Sequence, residues 1–195
     1  MSISMIEAAA GAIMKRIDSL PEADRPYLIA IDGRCASGKT TLAAFLQERI
    51  QECAVVHMDH FFLQDAQRTK ERLAEPGGNV DYERVEAEVI QPLRNGQEAE
   101  YRPYDCTAKT LGKPRRIAPQ RYVFIEGSYS AHPALWDYYD LKIFLTTDET
   151  QQMKRVRHRG GDAAASVFRD RWIPLEESYF QACRIRERCD MCFET

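Results

Sequence analysis

Two kinds of hydrophobic pattern alternate along the chain: short, nearly continuous apolar runs, and stretches in which apolar residues recur every three or four positions. Apolar runs of strand length occupy residues 27–32, 54–58, 121–125 and 141–146. Between them, apolar residues recur every three or four positions over residues 40–51 and 81–95, which is typical of a helix with one buried face. Strands that alternate with helices predict a doubly wound α/β fold, whose mostly parallel sheet is buried on both faces.

Further helical spacing and a last apolar run complete this prediction. Apolar residues from Ile6 to Leu20 predict an amphipathic helix, and Asp148 is expected to cap a helix that ends near Arg159. A long helix is predicted over residues 166–188, and its apolar positions are expected to lie in the core: Phe168, Trp172, Leu175 and Tyr179. A short edge strand at residues 191–193 brings the predicted sheet to five strands.

The segment of residues 60–120 does not follow the alternation. Residues 99–104 and 115–118 predict the two arms of a hairpin that turns at residues 111–114. We therefore expect one domain over residues 1–195, in which residues 60–120 form a small insertion. Such an insertion would lie over the C-terminal edge of the sheet, where ligands of these folds bind.

The composition narrows the class of function. Hydrophobic residues make up 44% and charged residues 29% of the 195 residues, and the net charge is -3. This balance argues against a nucleic-acid-binding protein, and no stretch approaches the roughly 20 apolar residues of a membrane span. The N-terminus lacks the pattern of a signal peptide because Glu7 precedes its short apolar run. We therefore expect a cytoplasmic protein.

Six cysteines are scattered along the chain, and without a secretory signal they are expected to be free thiols. Cys189 and Cys192 form a CxxC pair. No second pair supplies the other two ligands of a zinc site, so this pair does not predict metal binding.

The strongest chemical signal is the stretch GRCASGKTT, which begins at Gly33 directly after the first predicted strand. Residues 33–40 match G-x-x-x-x-G-K-[ST] and open a predicted helix, the context in which this pattern forms a phosphate-binding loop. Lys39 is expected to neutralise the outer phosphates of a nucleotide, and Thr40 to coordinate Mg²⁺. The other predicted nucleotide-binding residues are Gly33, Ala36, Ser37, Gly38 and Thr41.

Phosphate-binding loops of this kind serve GTPases, motor ATPases and small-molecule kinases. A GTPase needs a base-reading N-K-x-D element, which the sequence lacks, and the third buried strand ends at Glu126 rather than in the Asp or Asp-Glu of a motor ATPase. The second strand ends in VVHMDHFF, which places Asp59 beside the outer phosphate. We expect Asp32 to support the loop backbone, and His57 and His60 to be packing or surface residues.

The ordered motifs of the chain resemble the uridine kinase-like branch of the P-loop kinases, whose relatives include phosphoribulokinase and bacterial pantothenate kinase. The motifs are IDGRCASGKTTLA, MDHFF, NVDYERVEAEVI, YRPYDCTAKTL, YVFIEGSYS, YYDLKIFL and QMKRVRHRGG. They follow the family's order from about residue 27 to 190. The resemblance implies phosphoryl transfer from ATP or GTP to an alcohol, with Mg²⁺-ATP as the expected donor.

The resemblance also implies roles for three acidic residues. Asp59 matches the catalytic carboxylate, which orients the acceptor hydroxyl and takes its proton; a helix cap or a ligand to Mg²⁺-bound water is the alternative. Glu126 matches a carboxylate that binds Mg²⁺ or its water, or else makes a structural hydrogen bond. Asp81 matches a residue that holds sugar hydroxyls in uridine kinases, although it is nearly as well suited to cap the next helix.

Family members also carry a lid helix, whose arginines close over the transferring phosphate. The resemblance places this lid at about residues 153–165. Arg155 and Arg159 stand four positions apart on one helical face, whereas Arg157 points elsewhere. We expect Arg155 and Arg159 to act on the phosphate; solvated helix charges are the alternative.

The acceptor site is where the sequence departs from uridine kinases. These have a histidine shortly after their Pro-x-Tyr-Asp element, and Lys109 takes its place after RPYD in this chain. Lys109 together with Arg102 favours an acceptor that bears negative charge or several polar groups. Tyr104 and Phe62 complete the predicted acceptor residues, and Phe62 is expected either to stack on a base or to seal the insertion.

These residues favour a uridine kinase-like enzyme that phosphorylates a small-molecule alcohol. Two alternatives stay open. One is a kinase for a different alcohol, such as a sugar, a pantothenate-like acid or a vitamin precursor, and the other is a non-catalytic nucleotide-binding regulatory protein. The sequence leaves the oligomeric state open, with a homodimer as one alternative.

Overall fold

The computed structural model describes residues 3–195. Its strands are β1 (Tyr27–Gly33), β2 (Cys53–His57), β3 (Ala99–Tyr101), β4 (Tyr104–Asp105), β5 (Thr110–Leu111), β6 (Arg115–Ile117), β7 (Tyr122–Glu126), β8 (Leu141–Thr146) and β9 (Met191–Glu194). Its helices are α1 (Ile3–Asp18), α2 (Lys39–Arg49), α3 (Lys70–Ala74), α4 (Tyr82–Val85), α5 (Gln91–Arg94), α6 (Glu149–Val167), α7 (Ile173–Cys183) and α8 (Ile185–Arg188). Short 3₁₀ turns lie at Met58–Phe61, Asp65–Gln67 and Pro133–Tyr138, and π-helical turns at Glu86–Ile90 and Phe168–Trp172. No helix within residues 3–195 has both the length and the apolar character needed to cross a membrane.

A parallel sheet with the strand order β2-β7-β1-β8-β9 forms the centre of the fold. Every residue of β1 is buried because helices cover both faces of the sheet, and this explains why its sequence is a continuous apolar run. On one face, Ile29 and Ile31 pack with α1 and α2. On the other, Leu28 and Ala30 pack with residues of the insertion and α7. The predicted doubly wound fold with five strands is confirmed.

The segment between β2 and β7 contains the predicted hairpin, but the predicted turn is wrong. Antiparallel pairing joins β3 to β6 and, further out, β4 to β5, so the chain turns at residues 106–109 rather than at 111–114. The Asp105 carboxylate closes this turn, since it accepts hydrogen bonds from the backbone N–H groups of Thr107 (2.8 Å) and Ala108 (2.9 Å). Lys109 follows in the left-handed conformation, with φ 53°.

The C-terminal helices also differ from the prediction. Asp148 caps α6 as expected, but α6 continues past Arg159 and contains a kink at Gly161 (φ 73°, ψ -176°). The long helix predicted over residues 166–188 is interrupted at Arg184, whose left-handed φ of 52° separates α7 from α8. Hydrophobic spacing continues across Arg184, so the spacing alone does not record this single-residue change of backbone conformation.

The buried carboxylate of Asp32, at the end of β1, joins three segments of the chain. Its Oδ1 accepts hydrogen bonds from the backbone N–H groups of Gly33 (2.6 Å) and Tyr129 (3.0 Å), and its Oδ2 accepts from the N–H of Ala131 (2.9 Å) and the hydroxyl of Tyr179 (2.9 Å). Burial raises the pKa of Asp32 to about 6, while these donors and Lys39 oppose the rise. Asp32 therefore holds the start of the phosphate-binding loop, the segment after β7 and α7 together.

We expect Asp32→Ala to lower the free energy of unfolding by at least about 3 kcal/mol, because it leaves several buried donors without an acceptor. Chemical denaturation measures this loss. Asp24→Ala is the matched control, since Asp24 is exposed in the loop before β1, and it should change stability by less than about 0.5 kcal/mol. Equal stability of the two variants would contradict the structural role of Asp32.

Candidate active site

A cavity of about 730 Å³ opens at the carboxyl ends of β1, β2 and β7. Its size lies within the range of about 300–1,000 Å³ that is usual for small-molecule sites. The phosphate-binding loop forms one wall, residues of the segment after β2 and of the hairpin form another, and residues of α6, the following π turn and α7 form a third. The sequence elements predicted to bind nucleotide, acceptor and transferring phosphate thus meet in one space.

The phosphate-binding loop has the backbone geometry of an anion-binding nest. Gly33, Ala36 and Gly38 take positive φ values of 135°, 59° and 98°. A side chain at Gly33 is excluded, because a Cβ there would lie 1.9 Å from the carbonyl oxygen of Leu145. The Lys39 ammonium donates to the carbonyls of Gly33 (2.7 Å) and Arg34 (2.8 Å), so it lies across the loop that it is predicted to complete.

The predicted nucleotide-binding residues divide into two groups. Those that line the cavity are Ala36, Gly38, Lys39, Thr40 and Thr41. Gly33 and Ser37 are buried behind this surface, and their contribution is to shape the loop. The Ser37 carbonyl accepts a hydrogen bond from the Thr195 hydroxyl (2.8 Å), whereas its own hydroxyl has no partner among the described residues. The Ser37 side chain is therefore not placed to contact a nucleotide in this cavity.

Thr40 and Glu126, the predicted Mg²⁺ residues, are in contact. The Thr40 hydroxyl lies 3.1 Å and 3.2 Å from the two carboxylate oxygens of Glu126, which is buried. His57 Nδ1 lies 2.5 Å from Glu126 Oε1, and this hydrogen bond raises the pKa of His57. His57 is therefore a partner of the Mg²⁺ candidate rather than a packing residue.

A hydroxyl and a carboxylate fit Mg²⁺, which is usually held by one or two protein oxygens with water and substrate phosphates as the other ligands. No group of three or more His, Cys, Asp or Glu residues within residues 3–195 is arranged to hold a metal ion by itself. Thr40 and Glu126 would therefore supply only part of the coordination of an ion that a nucleotide completes.

Asp59 lies in the 3₁₀ turn that follows β2 and faces the cavity. Enclosure by the cavity walls raises its pKa above the usual value, the nearby Lys39 opposes the rise, and Glu126 adds to it. A carboxylate with a raised pKa is a better proton acceptor, because its conjugate acid is closer in pKa to neutral pH. The geometry is thus suited to the predicted role of Asp59 as a base.

The two predicted lid arginines occupy different environments. Arg155 lines the cavity but is already bound, since Nη1 donates to the Ala36 carbonyl (3.1 Å) and to the Thr195 hydroxyl (3.1 Å). Arg159 is exposed toward the cavity, with its guanidinium 5.5 Å from the centre of the Phe168 ring. Arg157 instead pairs with Asp162, outside the cavity, at 2.7 Å. Arg159 is the freer of the two to reach a phosphate.

The predicted acceptor residues also separate. Phe62, Tyr104 and Lys109 line the cavity, but Arg102 does not, because its guanidinium donates to the carbonyls of Leu111 (3.0 Å) and Gly112 (2.7 Å) within the hairpin. Asp81 lies outside the cavity as well. It caps α4 by accepting from Arg84 N (3.2 Å) and accepts from Gln67 Nε2 (2.7 Å), which is the alternative role that its sequence position allowed.

Several cavity residues were not predicted from the sequence. Phe168 and Trp172, expected in the core, line the cavity together with Arg171, and Phe168 also packs against a small core cluster at the start of the loop. Glu176 accepts from the Cys35 N–H (2.9 Å) and from the Ser128 hydroxyl (2.7 Å). No local pattern marks these residues, since their position depends on how the C-terminal helices cross the sheet.

The parallel sheet, the loop at the end of β1 and the acidic residues at the ends of β2 and β7 define a P-loop kinase fold. The chain belongs to the phosphoribulokinase / uridine kinase family, whose model matches residues 28–167. The family resemblance indicated by the motifs is thereby confirmed.

Individual relatives are distant. Uridine kinase-like protein 3 of Arabidopsis thaliana is 27% identical over 143 residues, which cover 69% of this chain and only 30% of that protein. A uridine kinase of Chloroflexus aurantiacus is 28% identical over 142 residues, which cover 68% of this chain and 67% of that protein. A solved structure from Bacillus stearothermophilus, described as a possible uridine kinase, superposes with a TM-score of 0.73 at 20% identity and covers 96% of this chain and 98% of its own.

The pH profile of catalysis tests the setting of Asp59. If Asp59 is the base as predicted, transfer needs its ionised carboxylate, and kcat/KM for the acceptor should fall on acidification through the pKa of Asp59, which lies above its usual value of 3.8. The charge of Arg159 lowers this pKa, and Arg159→Gln should therefore move the acid limb to higher pH. Arg157→Gln removes a cation of the same helix that pairs with Asp162 and should leave the limb in place. An unmoved limb in Arg159→Gln would contradict this arrangement.

Proposed function

We propose that the chain is a Mg²⁺-ATP-dependent, uridine kinase-like enzyme that transfers the γ-phosphoryl group to a hydroxyl of a small molecule. The observation that carries this proposal is the position of Asp59. Its carboxylate faces the same cavity as Lys39, Thr40 and Glu126, at the edge of the sheet where the outer phosphate of a nucleotide on the loop would lie. A protein that merely binds nucleotide has no need of a carboxylate at this place.

The loop residues account for nucleotide binding. Backbone N–H groups of residues 36–41 and the start of α2 supply the donors for the phosphates, and the Lys39 ammonium supplies a positive charge within the loop. Bound Mg²⁺, held by Thr40 and Glu126, would neutralise charge on the phosphate oxygens. The Lys39 ammonium donates to the carbonyl oxygens of Gly33 and Arg34, and a phosphate oxygen can take the place of either carbonyl as the acceptor.

The transfer step follows from the groups around the loop. Asp59 accepts the proton of the acceptor hydroxyl, and the oxygen of that hydroxyl forms a bond to the γ-phosphorus. The bond from this phosphorus to the bridging oxygen of ADP breaks at the same time. Lys39 and Arg159 stabilise the charge on the phosphoryl oxygens during this exchange. Asp59 is protonated at the end of the step and returns its proton to solvent, so the products are ADP, the phosphorylated acceptor and H⁺.

Asp59→Asn provides the sharpest test, because asparagine keeps the shape but cannot accept the proton. We expect nucleotide affinity and thermal stability to change little, while acceptor-dependent ADP release falls by roughly 10²- to 10⁴-fold. Lys39→Ala should instead weaken both nucleotide binding and turnover, since it removes the loop cation. Full activity of Asp59→Asn would reduce Asp59 to a structural role, and loss of ATP binding would make it a metal ligand.

A further inference from the structure

The acceptor end of the cavity contains a pair of cations with one acid between them. Lys109 Nζ lies 3.0 Å from Asp65 Oδ2, and the Tyr104 hydroxyl lies 3.5 Å from Asp65 Oδ1. Both members of the Lys109–Asp65 pair are more than half exposed to the cavity, at 66% and 58%. An exposed pair of this kind contributes little to stability, so a ligand can displace it at small cost.

Arg68 is the second cation, and it has no such partner. Its side chain is half-buried in the cavity wall, and its guanidinium makes no hydrogen bond or ion pair with any residue in the described range of 3–195. Arg68 lies next to the other two groups, because its backbone N–H donates to the Asp65 carbonyl (3.3 Å) and all three residues line the cavity. The charge of Arg68 accordingly acts to lower the pKa values of both Asp65 and Lys109. The cluster of Arg68, Lys109 and Asp65 therefore contains two cations and one carboxylate, and it has a net positive charge.

The loop that carries Lys109 is fixed in advance. The Asp105 carboxylate closes the turn through the N–H groups of Thr107 and Ala108, and Lys109 takes a left-handed conformation that residues other than glycine adopt at a cost. The ion pair with Asp65 holds the Lys109 ammonium at the cavity, so less freedom is lost when it binds a ligand. The turn and the ion pair together place Lys109 on the cavity wall that also carries Arg68.

The same end of the cavity lies near the catalytic carboxylate. Asp59, Arg68 and Cys106, the first residue of the turn, all line this one cavity, and the charges of Asp59 and Arg68 both act on the pKa of Cys106. One small molecule can therefore reach both, with a hydroxyl at Asp59 and a second group at Arg68. A half-buried guanidinium without a partner is best satisfied by a carboxylate or phosphate, to which it can donate two parallel hydrogen bonds.

We propose that Arg68 and Lys109 form a binding site for an anionic group of the acceptor, so that the enzyme phosphorylates alcohols that bear a carboxylate or phosphate in preference to neutral ones. This inference rests on the proposed kinase function and specifies its substrate class. A neutral nucleoside would leave the Arg68 charge without a partner. Asp65 then serves to hold Lys109 in place until the acceptor arrives.

Matched acceptors test the preference. ADP release with Mg²⁺-ATP is measured for glycerol, glycerate and glycerol 3-phosphate, with uridine as the neutral nucleoside. We expect kcat/KM for at least one charged compound to exceed that for glycerol and for uridine by about tenfold or more. Comparison of glycerate with glycerol 3-phosphate decides between a carboxylate and a phosphate. A neutral compound used as well as the charged ones overturns the proposal.

Two variants assign the preference to the cations. Arg68→Gln and Lys109→Gln should each raise KM for the charged acceptor by about 10- to 100-fold, with a smaller effect on kcat and none on KM for ATP. Lys113→Gln is the matched control, because Lys113 is exposed in the same hairpin and does not line the cavity. Equal KM values for Arg68→Gln and the control contradict the site.

A binding measurement separates this proposal from the kinase function itself. Calorimetric titration of glycerate and of glycerol 3-phosphate is carried out with the phosphate-binding loop saturated by Mg²⁺-ADP, in the unsubstituted protein and in Arg68→Gln. Binding that depends on Arg68 without any turnover would retain the anion site and reject the kinase function. Turnover of neutral acceptors without such binding would retain the kinase function and reject the anion site. Absence of Arg68-dependent binding to both compounds likewise overturns the anion site.

Discussion

The carboxylate of Asp32 is the contact on which the phosphate-binding end of the fold depends. A buried carboxylate is unfavourable unless donors surround it, and the four donors around Asp32 come from segments that are distant in sequence. The start of the loop, the segment after β7 and α7 must therefore be in place together. This requirement makes α7 part of the nucleotide site although it follows the loop by more than half of the chain.

The helices that follow β8 also contact the loop directly. Glu176 accepts from the Cys35 N–H (2.9 Å), Glu177 pairs with Arg34 (2.7 Å), and Arg155 donates to the Ala36 carbonyl (3.1 Å). Ser128 connects this set to Lys39, since its hydroxyl donates to Glu176 (2.7 Å) and lies 3.3 Å from the Lys39 ammonium. A movement of α6 or α7 must therefore change contacts within the loop. Helices α6 and α7 are thus connected to the phosphate-binding loop through these contacts.

Charge divides the cavity into two ends. Its cationic side chains are Lys39, Arg68, Lys109, Arg155, Arg159 and Arg171, and its acidic ones are Asp59, Asp65, Glu126 and Glu176. At the end formed by the phosphate-binding loop, Glu126 accepts a hydrogen bond from the Thr40 hydroxyl, and Glu176 accepts one from the Cys35 N–H. Both carboxylates therefore already have hydrogen-bond donors in the loop. At the acceptor end, Asp65 alone balances Lys109 and Arg68. The cavity as a whole has an excess of positive charge, which attracts anionic ligands.

The sequence by itself determined the sheet and the loop: the apolar runs predicted the strands, and the glycine spacing with Lys39 and Thr40 predicted the phosphate-binding loop. Both are local patterns whose physical requirements are met within a few residues. The sequence also placed Asp59 and Glu126 at strand ends, and parallel strands bring such ends to one edge. The tertiary structure decided which cations share the cavity. Arg102 lies outside the cavity because it donates to hairpin carbonyls, whereas Arg68 and Arg171 line it. Their positions depend on how residues 60–120 fold and on how α6 continues into α7. Both are set by long-range packing, which spacing along the chain does not record.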